Sequence, residues 1–392
     1  MKKFFALTMA VLMVLSMFAG CGSSEAKNNA PAAEGEAAAA PAAIKLGMCG
    51  PLTGGAAVYG TAVQAGMEIA VEEINAKGGL QFELNCQDDE HDTEKAANAY
   101  NALKDWGMQI MAGPVTTAPS NVVAAECAAD QIFMLTPSAS GASVIEYGDN
   151  IFQICFTDPN QGTASADYMA ANNLGTTIGV IYDSSDVYST GIYEKFMAQA
   201  EANGLNVAEI QSFTADNKSD LTTQVTKCQE AGCDVVFLPF YATEAAQVLT
   251  YAAKIGYAPI FFGCDGLDGV LTVENFDPAL AEGVMLLTPF SADAEDEATK
   301  SFVAKFQEKT GIIPNQFAAD AYDVIYAIYE ACVAGGVTAD MSAAEINEIL
   351  VAQFTSMTFN GLTGQNMTWA PTGEVSKAPM AVVIKDGVYV GA

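Results

Sequence analysis

Short apolar runs alternate along this chain with longer stretches whose apolar positions recur every three or four residues. Ile44–Cys49, Phe82–Cys86, Gln109–Ala112 and Ile132–Leu135 are the first four runs. Each reads as a strand of a sheet covered on both faces. After the first, Val63, Met67, Ala70 and Ile74 form one helical stripe with Gln64, Glu68 and Glu72 off it, and Lys77-Gly78-Gly79 supplies a stop. Thr93–Trp106 and Ala118–Ala129 have the same helical character. The pattern restarts after Asp158. Strands over Thr177–Tyr182, Val207–Phe213, Val235–Leu238, Ile260–Phe262 and Gly283–Leu287 are separated, up to Ile260, by helices over Tyr188–Asn203, Leu221–Glu230 and Glu244–Ile255, with Gln161–Asn173 leading in. Strict alternation predicts parallel sheets, right-handed crossovers and helices on both faces. The helices Asp296–Thr310 and Phe317–Ala331 look like additions to the first unit. A polar, glycine-containing tail ends in a hairpin, Ala381–Ile384 and Val388–Val390 around Lys385-Asp386-Gly387.

The expected architecture is therefore α/β, with two doubly wound parallel-sheet lobes. Length and composition agree, since 392 residues at 51% hydrophobic and 16% charged suffice for two domains. Ligands of such sheets bind beyond the carboxyl ends of the strands. Those ends are loops rich in Gly, Ser, Thr, Asp and Tyr, and two facing lobes would set two such rims across a cleft.

Charge removes some partners. A net charge of −31 repels nucleic acid and anionic lipid. The amino end has its own logic. Lys2 and Lys3 precede the apolar Phe4–Phe18, and Phe18-Ala19-Gly20-Cys21 resembles the bacterial lipobox, in which the cysteine is lipidated. Residues 22–43 are low-complexity Ala, Gly, Pro and Glu and read as a flexible tether. The expectation is an exported protein, lipid-anchored through Cys21 to the outer face of the cell membrane. Eight further cysteines follow, and Cys228 and Cys233 are the only close pair. Buried free thiols are the simpler reading of most of them.

The motifs of chemistry are missing. GxxxxGK[ST], GxSxG and HExxH are absent, and GPLTGG after the first strand is a turn. Asp88, Asp89, Glu90 and Asp92 around His91 lack the calcium-loop spacing and read as a solvated loop. No metal, cofactor or catalytic residue is expected.

What remains is a binding rim. Two loops, one with Thr116 and Thr117 and one with Thr136, Ser138 and Ser140, follow neighbouring strands. They are either ordinary helix caps or, side by side, a cradle for a carboxylate. Asp265, in FFGCDGLDG, is either a turn residue or a partner for an ammonium group. Tyr59, Tyr188 and Tyr241 lie at strand-end loops, where they can cover an apolar group or pack on the loop.

A family resemblance weighs these alternatives. IKLGMCGPLTGGAAVYGTAVQAGMEIAVEEINAKGGL resembles the opening of the leucine/isoleucine/valine-binding proteins of ABC transporters. The likeness continues through GPVTTAPS, TPSAS, FTDPNQG, VIYDSSDVYSTG, FLPFYATEAAQ and FFGCDG. It implies a type I periplasmic-binding-protein fold. Lobe one would be residues 44–157 plus 288–378 and lobe two 158–287 plus 379–392, joined by three crossovers and closing like a clam. It implies a monomer that delivers an amino acid, branched-chain ones favoured, to the transmembrane subunits of a permease. By resemblance Thr117 and Ser140 bind the ligand carboxylate, with Ser138 and Ala139 adding main-chain contacts. Asp265 takes the ammonium where the leucine binders usually have Glu. Tyr59, Tyr188 and Tyr241 surround the ligand, and Val115, Thr116 and Phe317–Ala319 line its side-chain pocket. His91 and Thr116 stand where some members pair two cysteines, so that disulfide is absent. The alternatives on the same scaffold are a binder of urea, short amides or aromatic acids and a ligand-sensing receptor subunit. An exported enzyme is a more distant one.

Overall fold

A computed structural model describes residues 42–392. The expected signal segment, Cys21 and nearly all of the expected tether fall outside the described residues.

The first unit runs β1 (Ile44–Gly50), α1 (Ala57–Ala76), β2 (Phe82–Asp88), α2 (Thr93–Trp106), β3 (Ile110–Ala112), α3 (Thr117–Asp130), β4 (Phe133–Thr136) and β5 (Ile151–Gln153). Its strands form one parallel sheet in the order β2-β1-β3-β4-β5. Strand β1 shows why the runs are apolar throughout. Ile44, Leu46 and Met48 pack with α1 on one face, while Cys49 packs with α2 and α3 on the other. At Gly47 a Cβ would stand 2.1 Å from Met108 Sδ, so any larger residue would displace the Met108 side chain from that layer.

The chain then builds α4 (Asp158–Ala171), β6 (Ile178–Asp183), α5 (Val187–Ala202), β7 (Val207–Phe213), α6 (Thr222–Glu230), β8 (Val235–Leu238), α7 (Ala242–Lys254), β9 (Ile260–Gly263) and β10 (Met285–Thr288). It returns to the first unit as α8 (Glu297–Thr310), α9 (Gln316–Gly335) and α10 (Ala343–Phe354), and ends in β11 (Met380–Lys385) and β12 (Val388–Gly391). The second sheet has the order β12-β11-β10-β9-β8-β6-β7. It is parallel from β7 to β10 and antiparallel at β10-β11-β12. The chain thus crosses between the two sheets three times, after β5, after β10 and before β11.

Helix α9 fills the groove beside α1. Gly66 of α1 sits so close to α9 that a Cβ there would lie 2.2 Å from the Ala318 carbonyl oxygen. Two elements were not expected from the sequence. Strand β5 is three residues long, too short to announce itself. Helix α10 lies in what reads as a polar tail, yet Ser342 and Glu345 make a capping box there. Ile346, Leu350 and Phe354 are its buried stripe. No described helix is long and apolar enough to cross a membrane.

Candidate ligand site between the two sheets

The two hydroxyl-rich loops do lie side by side, and they are sewn together. Thr136 Oγ1 donates to the Pro114 carbonyl at 2.6 Å, and Ser138 Oγ donates to the Val115 carbonyl at 2.7 Å. Thr136 Oγ1 also accepts from the N–H groups of Ser138 (3.3 Å) and Ala139 (2.9 Å). These hydroxyls therefore fix loop shape and are not free for a ligand.

Both backbone groups of the buried Ala139 are already engaged: its N–H is held by Thr136 and its carbonyl accepts from Gln153 Nε2. Thr116 also differs from a plain cap. It occupies the N-cap position of α3 without capping it, because its Oγ1 sits 2.9 Å from His91 Nδ1. The first N–H groups of α3 have no intrahelical acceptor and no side-chain cap. They stand at the positive end of the helix. Thr117 Oγ1 accepts from the Gly141 N–H at 3.2 Å, which leaves its own proton to donate.

The second sheet supplies the opposite wall. Asp265 follows β9 and is buried. Its Oδ1 accepts from the Tyr188 hydroxyl at 2.7 Å, and its N–H donates to Gln161 Oε1 at 3.0 Å. Burial pushes its carboxyl up to about 6, against the pull of the Tyr188 hydroxyl. Tyr188, in the first turn of α5, also accepts from the Gly266 N–H at 2.9 Å. Tyr188 and Tyr241 stack with ring centroids 4.9 Å apart. Phe317, in the first turn of α9, meets Tyr59 edge-on at 4.9 Å.

Between these walls is a small cavity. Of the thirteen residues expected at a ligand site, Tyr59, Val115, Thr116, Thr117, Ser138, Ser140, Tyr188, Tyr241, Asp265 and Phe317 line it, and Ala139, Ala318 and Ala319 do not. Gly266 completes it. No Lys or Arg lines the cavity, so an anionic group there would rest on hydroxyls and backbone N–H groups. Asp265 is the single carboxylate in the lining. One end is donor-rich and the other anionic, which suits a zwitterion.

Bonds between the units hold the cleft shut. Tyr59 Oη donates to the Gly266 carbonyl and accepts from the Ala242 N–H. Thr243 Oγ1 donates to the Gly55 carbonyl at 2.7 Å, and the Gln316 N–H donates to Asp268 Oδ2 at 2.8 Å. His91 Nε2 lies 3.7 Å from Asp186 Oδ2, with its ring edge toward Tyr241.

Sequence reasoning missed three acids. Asp158 is 1% exposed and neither carboxylate oxygen has a hydrogen-bond partner. Burial and the nearby Asp265 charge raise its carboxyl well above the ordinary range. In the sequence, Asp-Pro at a helix start looks like a cap. Asp268 is pushed up to about 7 by burial. Asp89, read as part of a solvated loop, is fully buried and raised to about 6.

A family model described as periplasmic binding protein matches residues 43–387. The Leu/Ile/Val-binding protein homolog 3 of Brucella melitensis is 28% identical over 363 residues, covering 91% of this chain and 95% of that one. Among solved structures, the branched-chain amino acid transporter substrate binding protein LivJ of Streptococcus pneumoniae, in complex with isoleucine, superposes with a TM-score of 0.79. It is 24% identical, and the match covers 89% of this chain and all of that one. A solute binding protein of an ABC transporter from R. palustris, in complex with benzoate, gives 0.79 at 20% identity, covering 89% and 95%.

Proposed function

The chain belongs to the periplasmic binding protein family, and from that premise we propose that it is the substrate-binding protein of an ABC importer for amino acids, branched-chain ones favoured. The observation that carries this reading is the split polarity of the cavity. Thr117, Ser140 and the open N–H groups of α3 stand on one unit, and Asp265 stands on the other. A free amino acid presents a carboxylate and an ammonium a few ångströms apart, and a carboxylate alone would face the Asp265 charge uncompensated.

In this reading the lobes are residues 44–157 plus 288–378 and residues 158–287 plus 379–392. The ligand carboxylate docks first on Thr117 and Ser140. Closure then brings Asp265 to the ammonium and the tyrosines over the side chain. Contacts made only when closed are what shift the population toward that state. The chain acts as a monomer, without catalysis, lipid-anchored through Cys21, and hands its ligand to the permease's transmembrane subunits.

Titration calorimetry of the ligand-free protein against the twenty amino acids, urea, acetamide and benzoate tests it. The expected result is saturable binding of one or more aliphatic amino acids and none of benzoate. Binding of benzoate or urea with no amino acid bound would overturn the reading.

A further inference from the structure

The close cysteine pair has a local geometric origin. Helix α6 ends in a Schellman turn: the Cys233 N–H donates to the Cys228 carbonyl at 3.0 Å and the Gly232 N–H to the Gln229 carbonyl at 3.0 Å, with Gly232 left-handed at φ 70°. That turn brings the side chains of its first and sixth residues together. Both of those residues are cysteines. They also lie against the same spot on β6. A Cβ placed on Gly179 would stand 2.9 Å from Cys228 Sγ and 3.1 Å from Cys233 Sγ. Glycine at that position leaves a shared seat for two sulfurs. The pair is remote in sequence and in role from the ligand cavity, and neither sulfur is used there.

We propose that Cys228 and Cys233 are a thiol–disulfide modification site, closing to an intramolecular disulfide by exchange with a low-molecular-weight disulfide. The Cys233 thiolate attacks one sulfur of the small disulfide, forming a mixed disulfide and expelling one thiol. Cys228 then attacks the Cys233 sulfur, forming the Cys228–Cys233 bond and expelling the second thiol. The two protein thiols lose two protons and two electrons, and the small disulfide is reduced to two thiols. Cys233 goes first because it lies past the helix end, at a turn that frays more readily than the helix body. Burial raises Cys233 and pushes Cys228 up to about 12, so the exchange is slow at neutral pH and quickens as pH rises.

The test uses the whole chain, native, with oxidised glutathione at pH 8.5, followed by acid quench, unfolding, alkylation and tryptic mass spectrometry. Lys227 and Lys254 bound a peptide, residues 228–254, holding these two cysteines and no other. The expected product is that peptide two hydrogens lighter and unalkylated, restored to two alkylated thiols by dithiothreitol. In Cys228→Ser the reaction stops with glutathione on Cys233. Two alkylatable thiols at the end of the incubation, a glutathione adduct as the final wild-type product, or a disulfide to any other cysteine would each overturn the proposal. Amino-acid affinity is expected to be the same before and after oxidation, so this result and the ligand reading stand or fall separately.

Discussion

Tyr59 donates its phenolic proton to the carbonyl oxygen of Gly266 across 2.6 Å, and in doing so ties helix α1 of the first unit to the loop beyond β9 of the second. The same oxygen accepts the Ala242 N–H at 2.7 Å. One hydroxyl thus satisfies two buried backbone groups of the opposite unit, and it can do so only with the cleft closed.

Tyr59→Phe keeps the ring against Phe317 and Tyr241 but leaves both backbone groups without this partner. An unsatisfied buried polar group costs about 1–3 kcal/mol, here charged to the closed state alone. Ligand affinity is expected to fall roughly 5- to 150-fold, with the melting temperature of the ligand-free protein little changed. Calorimetry beside thermal melts separates the two effects, and unchanged affinity would show that the bond does not support closure.

Asp265→Asn removes the charge proposed to face the ammonium while keeping an acceptor for Tyr188. A hydrogen bond to a charged group contributes about 1.5–3 kcal/mol, so affinity is expected to drop about 10- to 150-fold. The wild type should also lose affinity as pH falls below about 6, because its carboxyl must then give up a proton to bind the cation. The variant should not show that slope. Parallel pH profiles that differ only in height would count against Asp265 as the ammonium partner.

The buried acids set an unusual pH dependence of stability. Asp89, Asp265 and Asp323 are raised to about 6 and Asp268 to about 7, each chiefly by burial. In the unfolded chain such groups titrate near 3.9. Between about pH 4 and 7 the folded chain therefore holds protons that the unfolded chain has released, and stability falls as pH rises through that window. The ligand-free protein should melt higher at pH 5 than at pH 7.5, and Asp268→Asn should flatten the difference. A melting temperature that rises from pH 5 to 7.5 would contradict this.

Much of this was legible before the structure, because doubly wound units place function at strand ends and the strand ends were visible as apolar runs stopping at Gly, Ser and Thr. Thr117, Ser140 and Asp265 follow from that logic and from the family resemblance. What was not legible is how each hydroxyl is spent. Thr116 and Ala139 look available in the sequence, but their polar groups go to His91 and Thr136, partners set by the folded loops. Asp158 was hidden for the opposite reason, since a polar residue at a helix start gives no sign that tertiary packing will bury it without a partner. Helix α10 was hidden by its surroundings, although the Ser342–Glu345 signature was in plain view.

Gly66→Ala tests how α9 positions the site. The added methyl would meet the Ala318 carbonyl at 2.2 Å, and Ala318 neighbours Phe317 in the first turn of α9. Overpacking of this kind costs about 1–3 kcal/mol, which for a domain of this size lowers the melting temperature by about 2–12 °C. Affinity should fall as well, since α9 carries Phe317 into the cavity wall. Full affinity with an unchanged melt would mean that the two helices slide apart without disturbing the site.

His91 offers the last test, because its ring connects three things at once. Nδ1 meets Thr116 Oγ1 of the cavity wall at 2.9 Å, Nε2 faces Asp186 of the opposite unit at 3.7 Å, and the ring edge meets Tyr241. Asp186 has a second duty: its Oδ1 caps α5 by accepting from the Tyr188 and Ser189 N–H groups. Replacing it with alanine would confound loss of the cap with loss of the pair, so Asp186→Asn, which keeps a capping oxygen, is the proper partner to His91→Ala in a double-mutant cycle on ligand affinity. The His91 and Asp186 side chains are 25% and 11% exposed, and a long, partly solvated pair of this kind contributes about 0.2–1 kcal/mol. The coupling expected is therefore about 1.5- to 5-fold in Kd, and it should appear in the dissociation rate, because the contact forms only when the units meet. His91→Ala alone should cost more than the coupling, since it also releases Thr116. If the two substitutions proved strictly additive, the His91–Asp186 approach would be mere proximity, and the hold on the closed cleft would rest with Tyr59, Thr243 and Asp268.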